Sequence, residues 1–355
     1  MRIDDIRHQL RALGAGPLHE RRVLRLWAMA LPQSSGKRRP EDFLPASVRA
    51  GLPALVDRLA GLARLASEHP AADGSARLLV TLADGQAVES VLLPRDGVCV
   101  STQLGCAVGC VFCMTGRAGL LRQLGSAEIV AQVVLARQRR PVRKVVFMGM
   151  GEPAHNLDNV MDAIELLGTA GGLPHKNLVL STVGDPRLLG RLLALPVGRV
   201  RPALAVSLHT TEPGLRAELL PRAPAIDIPA LAEAAERYAR CSGYPTQYQW
   251  TLIDGVNDGP REIDGIVALL AGRRAIMNLI PFNRVDGMPW RRPPDSRSEA
   301  FAAELRRRGV LATLRQSAAQ DVDGGCGQLR ARAVGPAGDV RAVRLPARAA
   351  ATVVS

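Results

Sequence analysis

Four of the chain's six cysteines, Cys99, Cys106, Cys110 and Cys113, fall within fifteen positions, beside an apolar, strand-like stretch. Thiolates at this density serve soft metal chemistry better than they serve a fold. A structural zinc ion wants four closed ligands, usually supplied as two pairs. Here Cys106, Cys110 and Cys113 share one loop, which suits an iron–sulfur cluster with one iron left open to a further ligand. A zinc-binding RNA protein using all four cysteines is the reading of a different class.

At 355 residues the chain has room for one large domain or about two ordinary ones. Its hydrophobic content of 47% is that of a packed protein, and no stretch is long and apolar enough to span a membrane. The N-terminus carries early acids and no apolar signal core, so a reducing cytoplasm, where thiols survive as ligands, is the expected compartment. A net charge of +13 favours an anionic partner, with nucleic acid foremost. Only Lys37, Lys144 and Lys176 are lysines, and a GC-rich genome would produce the same arginine-heavy composition.

Helical periodicity at Ile3–Leu13, Val23–Met29 and Ala46–Ala66 predicts a small helical module at the N-terminus. Two strands follow, Ala76–Leu82 and Ala87–Leu93, joined by a turn at Asp84-Gly85. Beyond Val98 the pattern becomes strand, loop, helix, repeated. Strands are expected at Lys144–Met148, Leu178–Ser181, Ala203–Ser207, Gln247–Leu252 and Ile276–Ile280. Amphipathic helices fall between them at Ala127–Arg137, Leu157–Leu167, Ile228–Ala239 and Arg261–Leu270. This alternation indicates α/β architecture with parallel strands, a complete or partial (β/α) barrel rather than an open doubly wound sheet. One further strand, Ala312–Gln316, precedes Cys326.

Function in such barrels collects on the loops at the C-terminal ends of the strands. Those loops here read Gly149-Met150-Gly151-Glu152-Pro153, Ser181-Thr182-Val183-Gly184, Ser207-Leu208-His209 and Pro281-Phe282-Asn283. A glycine-rich turn after a strand is ordinarily only a turn, and an isolated histidine is ordinarily a satisfied one. Four polar loops in register behind a cysteine cluster carry more weight. Glu152 can accept from an ammonium group, and the glycines let backbone approach a ligand.

The chain resembles the RlmN/Cfr family of radical S-adenosylmethionine (SAM) enzymes, which methylate an adenine carbon in RNA. The resemblance runs from about Ile3 to about Leu329. It rests on Cys99 to Cys106, Cys110-Val111-Phe112-Cys113-Met114-Thr115-Gly116, Phe147 to Pro153, Ser207-Leu208-His209, Leu252 to Asp258, Asn278 to Asn283 and Cys326-Gly327-Gln328-Leu329. It implies a partial (β/α)6 barrel at 97–331, an N-terminal helical accessory domain at 1–72, a short β extension at 73–96 and a low-complexity tail at 332–355. It implies one 4Fe-4S cluster on Cys106, Cys110 and Cys113, and SAM on Gly151, Glu152, Ser181, Ser207, Leu208, His209 and Asn283. Cys326 matches the methyl-carrying cysteine, Cys99 its resolving partner and Glu89 the proton acceptor. Cys241, on an expected helix, reads as a buried inert thiol.

An electron-poor ring carbon is not a nucleophile, so a thiolate must take the methyl group first. A radical from a second SAM then activates that methyl for addition to the ring, which leaves the RNA tethered through a thioether carbon. Loss of a ring proton to Glu89 and attack of Cys99 on Cys326 would free the RNA and leave a disulfide. The resemblance implies RNA as partner, ribosomal at the adenine 2-position, with transfer RNA or the 8-position as alternatives, and a flavodoxin-type electron donor. An oligomer is not among the things it implies. The basic runs Arg21-Arg22 and Lys37-Arg38-Arg39, with Arg117 and Arg122 after the cluster loop, are expected to meet phosphates. The loop at 317–325 is less acidic than is usual for the family, and Gly119 to Leu124 replaces a segment that tends to carry phenylalanine and asparagine.

Overall fold

The computed structural model describes residues 1–117, 119–283, 288–315 and 328–333. Four helices open the chain: α1 (Ile3–Ala12), α2 (Pro17–Ala28), α3 (Pro40–Phe43) and α4 (Ala46–Ala60). Four strands follow, β1 (Ala63–Pro70), β2 (Ala76–Leu82), β3 (Ala87–Leu93) and β4 (Gly97–Cys99). A ribbon of β5 (Gln103–Gly105) and β6 (Leu120–Gln123) brackets the cysteine loop. The remaining elements alternate: α5 (Ser126–Arg137), β7 (Lys144–Phe147), α6 (Leu157–Thr169), β8 (Leu178–Thr182), α7 (Pro186–Leu193), β9 (Ala203–Ser207), α8 (Pro213–Leu219), α9 (Ile228–Ser242), β10 (Thr246–Leu252), α10 (Pro260–Leu270), β11 (Ala275–Pro281), α11 (Asp295–Arg307), β12 (Ala312–Leu314) and α12 (Gln328–Ala333).

Ten strands form one mixed sheet in the order β1-β2-β3-β4-β7-β8-β9-β10-β11-β12. The pairs from β1 to β4 are antiparallel, and every pair from β4 onward is parallel. Successive side chains on a strand point to opposite faces, so each strand divides its residues between two environments. Val145, Phe147, Leu178, Leu180, Leu204, Val206, Trp250 and Leu279 face the helices and join one large core. Cys99, Val146, Val179, Ala203 and Ala205 form a separate cluster on the other face. With the helices on one side and small side chains on the other, the parallel strands wrap as a partial barrel. Six of them, β4 and β7 to β11, build the wall, and short β12 extends it. Each large aliphatic buried in the outer layer contributes on the order of 1.5–3 kcal/mol, which is what holds the strand ends in register for the site.

Two expectations are corrected. The third helix stops at Ala60 instead of continuing to Ala66, and Ala63–Pro70 is an edge strand antiparallel to β2. The β extension therefore begins inside the segment expected to be helical. Local periodicity gave no warning, because β1 gains its structure from its partner across the ladder. Helix α5 is also not amphipathic: Ser126 through Ala136 are all buried. The N-terminal helices supply the second wall, with the Ile3 amide donating to Ser126 Oγ at 2.8 Å.

Among the described residues no helix is long and apolar enough to cross a membrane.

Candidate active site

The cysteine loop leaves the barrel between β5 and β6, whose pairing (Gln103 with Gln123, Leu104 with Arg122) closes its base. Within it the Cys106 amide donates to Gly119 O at 2.9 Å and the Cys113 amide to Cys110 O at 3.0 Å. Gly105, at φ +78°, lies so close to Gly119 that a Cβ there would sit 2.0 Å from its carbonyl oxygen. The loop is strapped down from outside: Val111 donates to Leu219 O at 3.0 Å and Arg222 to Val108 O at 3.2 Å. Phe112 and Met114 pack with Leu219, Leu220 and Phe282.

Cys106, Cys110 and Cys113 open together into a cavity of about 300 Å³ at the C-terminal ends of the strands. Its wall includes Gly151, Glu152, Ser181, Ser207, His209 and Asn283, so most of the expected ligand-binding residues meet in one place. Leu208 does not: its side chain lies in the helix-side core, and its amide donates to Gln249 O at 3.0 Å.

The strand-end loops are built tightly. Gly151 adopts φ +107°, and a Cβ there would lie 2.6 Å from the Gln103 side chain. Gln103 in turn accepts from the Glu152 amide at 2.7 Å. The Glu152 carboxylate accepts from Thr182 Oγ1 at 2.6 Å and the Val183 amide at 3.0 Å. Burial nonetheless pushes it up to about 7, which leaves it ready to be ionised by an incoming cation. His209 sits at φ +64°, its carbonyl held by Asn257 Nδ2 at 2.6 Å and its Nδ1 accepting from the Thr251 amide at 3.0 Å. Burial lowers its pKa to about 3, so it stays neutral. It is therefore both a satisfied histidine and a wall of the cavity.

Burial raises all three loop thiols, Cys106 to about 11, with mutual repulsion among the first causes after it at Cys110. Ligand thiols must deprotonate, and a metal supplies the charge that makes this favourable. Three thiols from one short loop on a shared cavity wall are the donor type of an iron–sulfur cluster. The donor set thus fits an iron–sulfur cluster, and the glycine–glutamate wall beside it fits SAM.

Comparison with known proteins agrees. A model of the radical SAM superfamily matches residues 100–264. A probable RNA methyltransferase of Leptothrix cholodnii is 67% identical, over 95% of this chain and 96% of its own length. One from Pseudomonas aeruginosa is 61% identical over 99% of this chain and 100% of its own. The crystal structure of a radical SAM methyltransferase from Sphaerobacter thermophilus superposes with a TM-score of 0.78 at 34% identity, covering 92% of this chain and 97% of that one. The chain belongs to the RlmN/Cfr-like radical SAM RNA methyltransferases.

Family membership brings a 4Fe-4S cluster and SAM as cofactors. Of the other expected catalytic residues, Cys99 and Glu89 are not part of the cavity wall. Cys99 is buried on β4 in the inner cluster, and burial pushes its thiol up to about 12 against a backbone hydrogen bond from Met148. Glu89 is buried on β3, paired with Arg77 at 2.9 Å, and accepts from the Arg330 amide at 2.8 Å. It is not the exposed strand carboxylate that its neighbourhood in the sequence resembles. Cys326 lies outside the described residues. Cys241 is exposed at the end of α9, a correction to the expectation of a buried thiol. Arg122 is held by Glu128 at 3.0 Å and Asp84 at 2.8 Å and is not a free phosphate contact.

Sequence reasoning passed over Gln103, Thr182, Asn257, Arg77 and Arg216. The first three sit in or beside the quoted motifs, so the signal was present. The two arginines have no local signal, since only the fold buries them.

Proposed function

We propose that this enzyme methylates an adenine ring carbon in RNA, the 2-position of a ribosomal adenosine, through a methyl group carried on Cys326. The carrying observation is the single cavity in which three thiols meet Gly151, Glu152, Ser181, Ser207, His209 and Asn283. Cys106, Cys110 and Cys113 would hold the cluster as thiolates. When bound there, the cluster would supply the chemistry of one-electron reduction of SAM. Glu152 accepts from the ammonium of SAM, and the neutral imidazole of His209 packs beside it without competing for charge. The backbone at Gly151 lets the ligand lie close.

Glu89 takes the ring proton and Cys99 attacks Cys326 to release the RNA. Arg330, four residues after Cys326, donates its amide to Glu89 and its guanidinium to Ala87 O at 2.8 Å. This ties α12 to the strand that carries Glu89. The exposed Arg21, Lys37, Arg38 and Arg39 on the helical module offer phosphate contacts. A base paired in a stem would have to flip out to reach the site.

The test is peptide mass mapping after anaerobic reconstitution and incubation with isotope-labelled SAM. Label on Cys326 supports the reading, and digestion of the labelled RNA assigns nucleotide and ring position. An intact cluster with unlabelled Cys326 would overturn the methyl-carrier route.

A further inference from the structure

Arg216 is a buried arginine with no acidic partner among the described residues. It lies on α8, the helix whose end accepts the Val111 amide of the cysteine loop through Leu219 O. Its side chain is 5% exposed. Nη2 donates to Val183 O, the residue whose amide holds Glu152. Among the described residues Nε is buried with no hydrogen-bond partner, and none of their carboxylates pairs with the guanidinium. Val183 packs with Cys106 and Cys110, so the guanidinium is bonded to a residue that lies against the cysteine loop. Arg222 covers the loop from without, its guanidinium so close over Gly109 that a Cβ there would lie 2.2 Å from Nη2.

Burying a cation costs several kcal/mol unless something neutralises it. A structural ion pair would place a carboxylate against it, and among the described residues none is there. What lies beyond Val183 is the cysteine loop, whose thiols become thiolates when it is metallated. Three thiolates on a 4Fe-4S core leave the assembly net negative, and more so after one-electron reduction. Resting on the cluster assignment above, we propose that Arg216 is the resident counter-charge of the cysteine loop, neutralising the thiolate-ligated cluster and setting its reduction potential. Charge close to a cluster is one of the levers that set such potentials.

The proposal is tested on full-length protein, wild type against Arg216→Met and Arg216→Lys, by electron paramagnetic resonance during redox titration without SAM. Arg216→Met should titrate at a more negative potential than wild type, and Arg216→Lys should fall between them. Thermal melts of the metal-free proteins give a second readout. There Arg216→Met, which removes a buried unpaired charge at similar volume, should melt no lower than wild type, whereas loss of an ordinary structural ion pair would lower the midpoint. An unchanged potential in a fully loaded Arg216→Met protein overturns the proposal. An unchanged potential with SAM binding weakened tenfold or more also overturns it, and would assign Arg216 to the carboxylate of SAM instead. Wild-type protein that takes up no cluster on Cys106, Cys110 and Cys113 would overturn the functional reading itself.

Discussion

Arg77 and Glu89 form an ion pair inside the wall that joins the barrel to its antiparallel extension, Nη1 to Oε2 at 2.9 Å, with both side chains almost wholly removed from solvent. Arg77 stands opposite Val91 across β2 and β3, and Val91 stands opposite Cys99 across β3 and β4. The expected proton acceptor and the expected resolving thiol thus share one buried face and one cation. The charge of Arg77 lowers the Cys99 thiol, that of Glu89 raises it, and burial outweighs both.

Breaking that pair from one side should be costly. Arg77→Met takes the cation away from a buried carboxylate and is expected to destabilise the protein by about 3–5 kcal/mol in denaturant unfolding. Arg77→Met combined with Glu89→Leu should recover most of that loss. A double variant no better than the single one would show that the pair is not what Arg77 contributes.

Cys99→Ala should leave cluster and SAM binding intact, because Cys99 lines neither. RNA cross-linked to protein through Cys326 should then accumulate, visible as a band shift on a denaturing gel that nuclease removes. Normal turnover with no trapped adduct would mean that Cys99 does not resolve the intermediate.

Glu152 makes a prediction about pH. Its folded pKa, about 7, lies above the ordinary 4.5, so the metal-free protein is favoured with Glu152 protonated. That contribution is fully present below pH 4.5 and is lost as pH rises to about 7, a loss on the order of 3 kcal/mol. Glu152→Gln should remove this part of the slope, so stability curves of the two proteins should diverge over that window, with the variant gaining at higher pH. Parallel curves would show that the carboxyl is not held protonated by burial. SAM affinity, by contrast, should fall in Glu152→Gln.

The cysteines should separate by reactivity. Brief alkylation of the intact holoenzyme is expected to label exposed Cys241 at least tenfold faster than buried Cys99, read by peptide mass. Cys241→Ser should leave methylation unchanged.

Most of the barrel was legible because it is locally encoded. The outer face of each parallel strand needs large aliphatic residues and the inner face small or polar ones, so β8 and β9 announce themselves in Leu178–Thr182 and Ala203–Ser207. The loops after them carry the polar residues, and a loop that follows a parallel strand must emerge at the site. The sequence alone therefore determined the (β/α) alternation, the cysteine loop and the set of strand-end residues that converge in the cavity. Tertiary structure decided what those residues feel. Ala63–Pro70 became a strand because β2 offered it a ladder, and α5 was buried on all sides because the N-terminal helices covered it. Glu89 gained Arg77 twelve positions away and Arg330 on another element, and Arg216 lost solvent without gaining an acid among the described residues. Burial and charge pairing depend on which distant segments pack together, and no local pattern in the chain records that.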